Sequence, residues 1–184
     1  MAAYSAHDVA FELRRRLPGV PVKKLHKLLY YCQGWHAATL GQPLFGESIA
    51  AWDMGPVVGQ LWYAEKQHGP RQAPEQRLDE AALNTIGFVV SRYSGLSGAE
   101  LERLTHGESP WLEADQRRPP HGSQRIEIDS LRRFFSAAAC EDDALEPELD
   151  PETVAEWLAG AKGGPPAGDF HADSPASLRA LLHR

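Results

Sequence analysis

The chain has 184 residues, of which 25 are acidic and 19 are Lys or Arg, so its formal net charge is −6. Hydrophobic residues make up 42% and charged residues 24%, which is typical of a globular protein and not of a disordered chain. No apolar run approaches the ~20 residues that span a bilayer, and no signal peptide opens the sequence, so we expect a cytoplasmic protein. Two cysteines are too few for a disulfide framework or a Cys-rich zinc site.

Two helices are predicted at the start of the chain. Ser5 and Asp8 form a capping box, and apolar residues at helical spacing then continue until Pro18-Gly19. A second helix follows and ends at Gly41. Gly34 lies inside this helix at a cost near ~1 kcal/mol relative to alanine, which indicates close packing at that point.

Helices also dominate the middle of the chain. Residues 42–55 are predicted to be an irregular connection that contains a short strand at Ile49 to Trp52. Pro56 is predicted to open a third helix, as proline often does in a first helical turn. Four more helix starts are indicated, at Leu78, Ser97, Ser109 and Asp129. The sequence therefore predicts a mainly α, compact multi-helix domain with at most a small β element.

The composition changes after residue 139, so we assign 1–139 to the compact domain and 140–184 to an acidic, Gly/Pro-rich C-terminal extension. Residues 141–184 carry ten acidic and three basic side chains, a balance of −7. Two short amphipathic helices predicted there cannot bury their apolar faces alone, which is typical of a segment that folds on a partner. The alternative is a dispensable extension. The candidate anchors for a partner are Trp157, Leu158, Leu178 and Leu182.

The motifs of common enzyme classes are missing. The sequence has no His-Glu-x-x-His pair, no Gly-x-Ser-x-Gly elbow and no phosphate-binding loop. His106-Gly107-Glu108 matches only half of a zinc deaminase signature. Cys32 and His36 could pair a thiol with an imidazole, but both lie on an apolar stripe where a structural role is favoured. We expect no enzymatic activity, no cofactor and no metal.

The N-terminal end is basic. Residues 1–36 carry six basic and two acidic side chains, a balance of +4 that could contact phosphates. A DNA-binding autoregulator that uses these helices is therefore an alternative function. No helix-turn-helix, zinc-finger or RNA-binding signature accompanies the charges, so a solvated face is favoured and nucleic-acid binding is not expected.

Three stretches together resemble the SocA-like antitoxin domain, also called Panacea, a family with phage-associated relatives. The first is Lys24-Leu25-His26-Lys27-Leu28-Leu29-Tyr30-Tyr31-Cys32-Gln33-Gly34-Trp35-His36, where His26 and Cys32 replace the family's commoner Gln and Ala. The second runs from Pro43-Leu44-Phe45 to Gly55-Pro56-Val57-Val58, and the third is Leu104-Thr105-His106-Gly107-Glu108-Ser109-Pro110-Trp111. The signature positions are Trp35, His36, Trp52, Gly55, Pro56, Thr105, His106, Glu108, Pro110 and Trp111.

The resemblance implies a mainly helical antitoxin of a bacterial toxin–antitoxin pair, of a kind linked to phage defence. Its partner would be a cognate protein toxin, encoded by a neighbouring gene and neutralised by direct protein–protein binding. One relative acts instead as a proteolytic adaptor that delivers its toxin to an AAA+ protease, which is a second alternative. The protein is expected to be a monomer or a homodimer.

The signature helix carries two kinds of residue. Lys24, Lys27 and Tyr31 share a face that the apolar stripe does not use, and this face is the first candidate for toxin contact if it is exposed to solvent. The alternative is that these residues bond to backbone carbonyls or pair with Glu108. Five signature residues are predicted to lie in the core. These are Leu25, Leu28, Leu29, Trp35 and Trp111.

Overall fold

A computed structural model describes residues 4–145, with the backbone alone for 141–145. The described part of the chain contains seven helices and one three-stranded sheet, which confirms the mainly α fold with a small β element. In chain order, the elements are α1 (Ala6–Arg16), α2 (Val22–Leu40), β1 (Ile49–Trp52), β2 (Gly55–Val58), α3 (Gly59–His68), α4 (Glu80–Tyr93), α5 (Gly98–Gly107), α6 (Ser109–Asp115), β3 (Gln124–Arg125) and α7 (Ile128–Leu145). None of the described helices is both long and apolar enough to traverse a membrane.

Helix α2 forms the centre of the fold. It packs against α1, α4, α5, α7 and β2, and every residue from 25 to 37 is buried. A helix that is enclosed on all sides buries its polar residues together with its apolar ones. The prediction of the core is confirmed, because the five signature residues expected there are at most 7% exposed.

Local signals place the helix ends correctly. Ser5 with Asp8 and Ser97 with Glu100 both form complete capping boxes, as the sequence predicts. Gly41 ends α2 in the left-handed conformation, with a φ of 72°.

The prediction that Pro56 opens a helix is wrong. Residues Gly55–Val58 form β2, an edge strand that pairs antiparallel with β1, and the helix begins only at Gly59. Proline is tolerated in an edge strand because its missing N–H removes no bond from the sheet interior. The branched residues that follow it, Val57 and Val58, favour the pleated backbone and are buried there.

Helix α7 continues past the predicted domain boundary at residue 139 and ends at Leu145. The assignment of 140–184 to a separate extension stays a prediction. The two short helices predicted within it, and the four candidate anchors on them, lie outside the described residues.

Candidate protein-binding site

The first and third signature stretches meet at a buried carboxylate. The hydroxyls of Tyr30 and Tyr31 donate to the two carboxylate oxygens of Glu108, at 2.7 and 2.9 Å. Glu108 stands at the junction of α5 and α6, so the two tyrosines attach both helices to α2. Burial raises the pKa of Glu108 to about 7, although the two hydrogen bonds act to lower it.

Stacked rings continue this internal frame. The Tyr31 ring stacks on Tyr93 of α4 at a centroid distance of 3.9 Å, and the Trp35 indole N–H donates to the Tyr93 hydroxyl at 3.2 Å. Trp111 stacks on His106 at 4.0 Å. These signature residues therefore hold α2, α4, α5 and α6 together.

Lys24, Lys27 and Tyr31 were a candidate contact surface for the toxin on the condition that they are exposed to solvent. The structure does not meet this condition. Lys27 and Tyr31 are each 1% exposed, because β2 packs over Lys27 and the rings of Tyr93 and Phe135 pack on Tyr31. The Lys24 ammonium donates to the carbonyl of Ser94 at 2.6 Å and the Lys27 ammonium to that of Pro56 at 3.2 Å. Tyr31 donates to Glu108, so all three make the contacts that the sequence left as the alternative.

Cys32 and His36 show no thiol–imidazole pairing. Burial raises the pKa of the Cys32 thiol, which keeps it protonated and unreactive. The His36 Nδ1 atom lies 3.0 Å from the Thr85 hydroxyl on α4, and burial lowers the pKa of its ring. Among the described residues, no group of three or more His, Cys, Asp or Glu side chains could hold a metal ion.

Four of the six basic side chains of α1 and of the start of α2 form ion pairs within the domain. Arg14 makes a two-pronged ion pair with Glu65 of α3, at 2.7 and 2.8 Å. Lys23 pairs with Glu102 of α5. Both of the arginines that follow Arg14 pair with Glu12 on their own helix. Glu65 and Glu102 therefore offset two of the four excess positive charges of residues 1–36.

A groove of about 580 Å³ opens between the start of α2, the β1–β2 turn, α3 and the loop before β3. Its walls expose large apolar side chains, with Met54 at 56% and Tyr63 at 57%. Trp52 and Trp62 meet edge to face at 5.5 Å, and the Tyr63 ring touches both. The Trp52 indole N–H donates to the Ser123 hydroxyl, which fixes the ring against the loop. We call these four side chains, Trp52, Met54, Trp62 and Tyr63, the aromatic wall.

Two buried polar residues of α2 form the floor of this groove. His26 is 2% exposed, and burial lowers its pKa to about 4, so the ring is neutral. Its Nδ1 atom accepts from the Val58 N–H at 3.2 Å, which leaves the proton on Nε2, and Nε2 has no partner within the described part of the chain. Burial lowers the pKa of the neighbouring Lys27 to about 8.

The sequence placed Trp52 in the signature and named Lys27 of the floor as a candidate for toxin contact, but it did not single out Met54 or Tyr63. The four candidate anchors of the extension lie outside the residues that the structure describes. They are Trp157, Leu158, Leu178 and Leu182.

Gly55 lies directly against Lys27 and Thr105. A Cβ atom on Gly55 would be 2.8 Å from the Lys27 Cε atom and 3.2 Å from the Thr105 hydroxyl, so there is no room for a side chain at this position. The backbone of Gly55 also has a φ of 93°, which favours glycine.

Comparison with known proteins finds a family that part of the chain resembles. Residues 25–112 match the family described as "Antitoxin SocA-like, Panacea domain". No curated protein and no solved structure matches the chain. The matched span includes most of α2, all of the elements from β1 to α5 and the first half of α6, and with them the aromatic wall, the floor and the Glu108 junction. Residues 25–112 are therefore similar to the SocA-like Panacea family of antitoxins.

Proposed function

We propose that this protein neutralises a toxin encoded by a neighbouring gene by binding that toxin directly in the cytoplasm. The similarity of residues 25–112 to this family supports an antitoxin role in general. The observation that supports direct binding is the aromatic wall. Exposed apolar side chains gathered in one groove are typical of protein interfaces, and Trp and Tyr are the residues that most often dominate binding energy there.

The same observations favour protein binding over the alternative of a DNA-binding autoregulator. Nucleic-acid affinity depends on basic side chains that are free to neutralise phosphates. Here Arg14 and Lys23 are paired with Glu65 and Glu102 across the domain. The groove, in contrast, is walled by rings and carries few charges. A proteolytic adaptor would also need a toxin-binding surface, so the groove fits that alternative as well.

The first test replaces an exposed member of the aromatic wall. We expect co-expression of the full chain with the neighbouring gene's product to restore growth, and Tyr63→Ala to weaken the complex by about tenfold or more, as hot-spot truncations do. Isothermal titration of the purified proteins measures the affinity. Toxin abundance in the same cells separates the two mechanisms, because an adaptor depletes the toxin and a neutralising antitoxin does not.

Phe88→Ala is the matched control, since Phe88 is 42% exposed on α4 and does not line the groove. It should bind as the wild type does. If the neighbouring gene's product does not inhibit growth when it is expressed alone, the antitoxin hypothesis is wrong. A Tyr63→Ala protein that is folded and binds with unchanged affinity would remove the groove as the binding surface.

The acidic C-terminal extension is proposed as a second contact with the toxin. Its charge of −7 suits the basic, phosphate-binding active sites that many toxic enzymes of nucleic acids possess. We expect a full-length variant with alanine at its four candidate anchors to bind the toxin more weakly than the wild type by about tenfold. Unchanged affinity in the same titration would confine recognition to residues before the extension. The anchors are Trp157, Leu158, Leu178 and Leu182.

A further inference from the structure

The charges that line the groove do not balance. Apart from its histidines, the groove has three charged side chains: Lys23, Lys27 and Asp53. Lys23 pairs with Glu102, and Asp53 pairs with Arg118 at 2.5 Å. Lys27 has no ion-pair partner anywhere in the described part of the chain. One positive charge at the floor is therefore left over.

The Lys27 ammonium is also short of hydrogen-bond acceptors. It carries three N–H groups, and among the described residues only the Pro56 carbonyl accepts from it. Lys27 lines the groove but is 1% exposed in the free protein, so water does not readily supply the missing acceptors, and a bound group reaches the ammonium only if the side chains over it move aside. A buried charge without a partner destabilises a protein and is normally paired or bound to a ligand. His26 adds a second unmatched donor, Nε2–H, in a residue that lines the same groove.

We propose, on the basis of the function proposed above, that the groove receives a carboxylate side chain of the toxin, which the Lys27 ammonium binds while the aromatic wall covers the apolar residues beside it. A single Asp or Glu supplies one negative charge and two acceptor oxygens, which match one unpaired ammonium. Val22, Trp52 and Val57 are apolar residues that line the same groove as Lys27.

The lining favours a protein carboxylate over a nucleotide or a nucleic acid. A chain of phosphates needs several free cations, and the other lysine and the nearby arginine are already paired. One carboxylate surrounded by apolar side chains satisfies both the single unpaired charge and the apolar walls.

The test measures toxin affinity and stability together. Lys27→Met keeps an unbranched side chain one atom shorter and removes its charge, and Lys27→Gln removes the charge but keeps an N–H donor. We expect both full-length variants to bind the toxin at least about tenfold more weakly, with a melting temperature equal to or above that of the wild type, because an unpaired buried charge has been removed. Arg132→Met, at an exposed position on α7, is the control and should leave affinity unchanged.

The partner group is located by changing each exposed Asp and Glu of the toxin to its amide. One such change should weaken binding to the wild type about tenfold and have little further effect on Lys27→Met, which is the signature of a direct pair. Wild-type affinity in both Lys27 variants would overturn the inference and leave the proposed function intact. Absence of any complex with the wild type would overturn the proposed function itself. Saturable binding of ATP that Lys27→Met abolishes would overturn the inference of a carboxylate partner, in favour of a nucleotide site.

Discussion

Replacing Gly34 by alanine is expected to lower the free energy of unfolding by about 3 kcal/mol, near the upper end of what overpacking a core usually costs. A Cβ atom at this position of α2 would overlap the Phe135 ring of α7. The ring has no room to withdraw, because it is 1% exposed and packs against Tyr30, Tyr31 and Trp35. The ~1 kcal/mol that alanine contributes inside a helix does not offset this overlap.

Equilibrium unfolding of the full chain in urea measures the effect. Gly107→Ala is the matched control, since Gly107 is the last residue of α5 and a Cβ there meets nothing within 4 Å. Its stability should change by about 0.5 kcal/mol or less. Phe135→Leu should restore part of the loss when it is combined with Gly34→Ala, because the smaller side chain makes room. A Gly34→Ala protein as stable as the wild type would contradict the close contact between α2 and α7.

The sequence was sufficient where local interactions decide the structure. A capping box needs only residues three apart, so the first turns of α1 and α5 were predicted from Ser5 and Ser97. The packing at Gly34 was also predictable, because a glycine inside an otherwise good helix lowers helix stability unless a neighbour needs the space.

The start of α3 could not be predicted because it depends on a distant partner. Pro56 followed by two valines is compatible with a first helical turn and with an edge strand. Pairing with β1 selects the strand, and it aligns Pro56 with Ala51. The spacing of residues 56–61 alone contains no information about this pairing.

The candidate site was predictable only in part for the same reason. Lys27 and Tyr31 lie off the apolar stripe of α2, a position that normally faces water. Their burial follows from β2 packing over Lys27 and from α4 and α7 packing over Tyr31. Met54 and Tyr63 become one surface with Trp52 only because four separate segments meet at the groove. No short-range pattern in the sequence brings these segments together.

Glutamine in place of Glu108 is expected to make the protein more stable than the wild type by about 2 kcal/mol near pH 8, and by much less near pH 5. Burial raises the pKa of this carboxyl from 4.5 to about 7 in the folded protein. Such an increase corresponds to about 3 kcal/mol between the two protonation states. Part of that gain is lost in the variant, because the single amide oxygen can accept from only one of the two tyrosine hydroxyls, and the NH2 group in place of the other oxygen can only donate.

The sign of the pH dependence follows from which state binds the proton. Between pH 4.5 and about 7 the folded protein keeps the Glu108 proton that the unfolded chain has released. Raising the pH through this range therefore destabilises the wild type relative to the variant. This loss of wild-type stability relative to the variant is complete above about pH 7 and is absent below pH 4.5.

Urea unfolding of both proteins at several pH values from about 5 to about 8 measures this difference. The difference between the two curves of unfolding free energy against pH cancels the contributions of groups that titrate in both proteins. The pH dependence that is left is that of Glu108. Glu80→Gln, at an exposed position in the first turn of α4, is the control and should change the free energy of unfolding by about 0.5 kcal/mol or less at each pH. If the Glu108→Gln difference did not change between about pH 5 and about pH 8, the two tyrosines would hold Glu108 as a carboxylate throughout the range, and its burial would carry no electrostatic penalty.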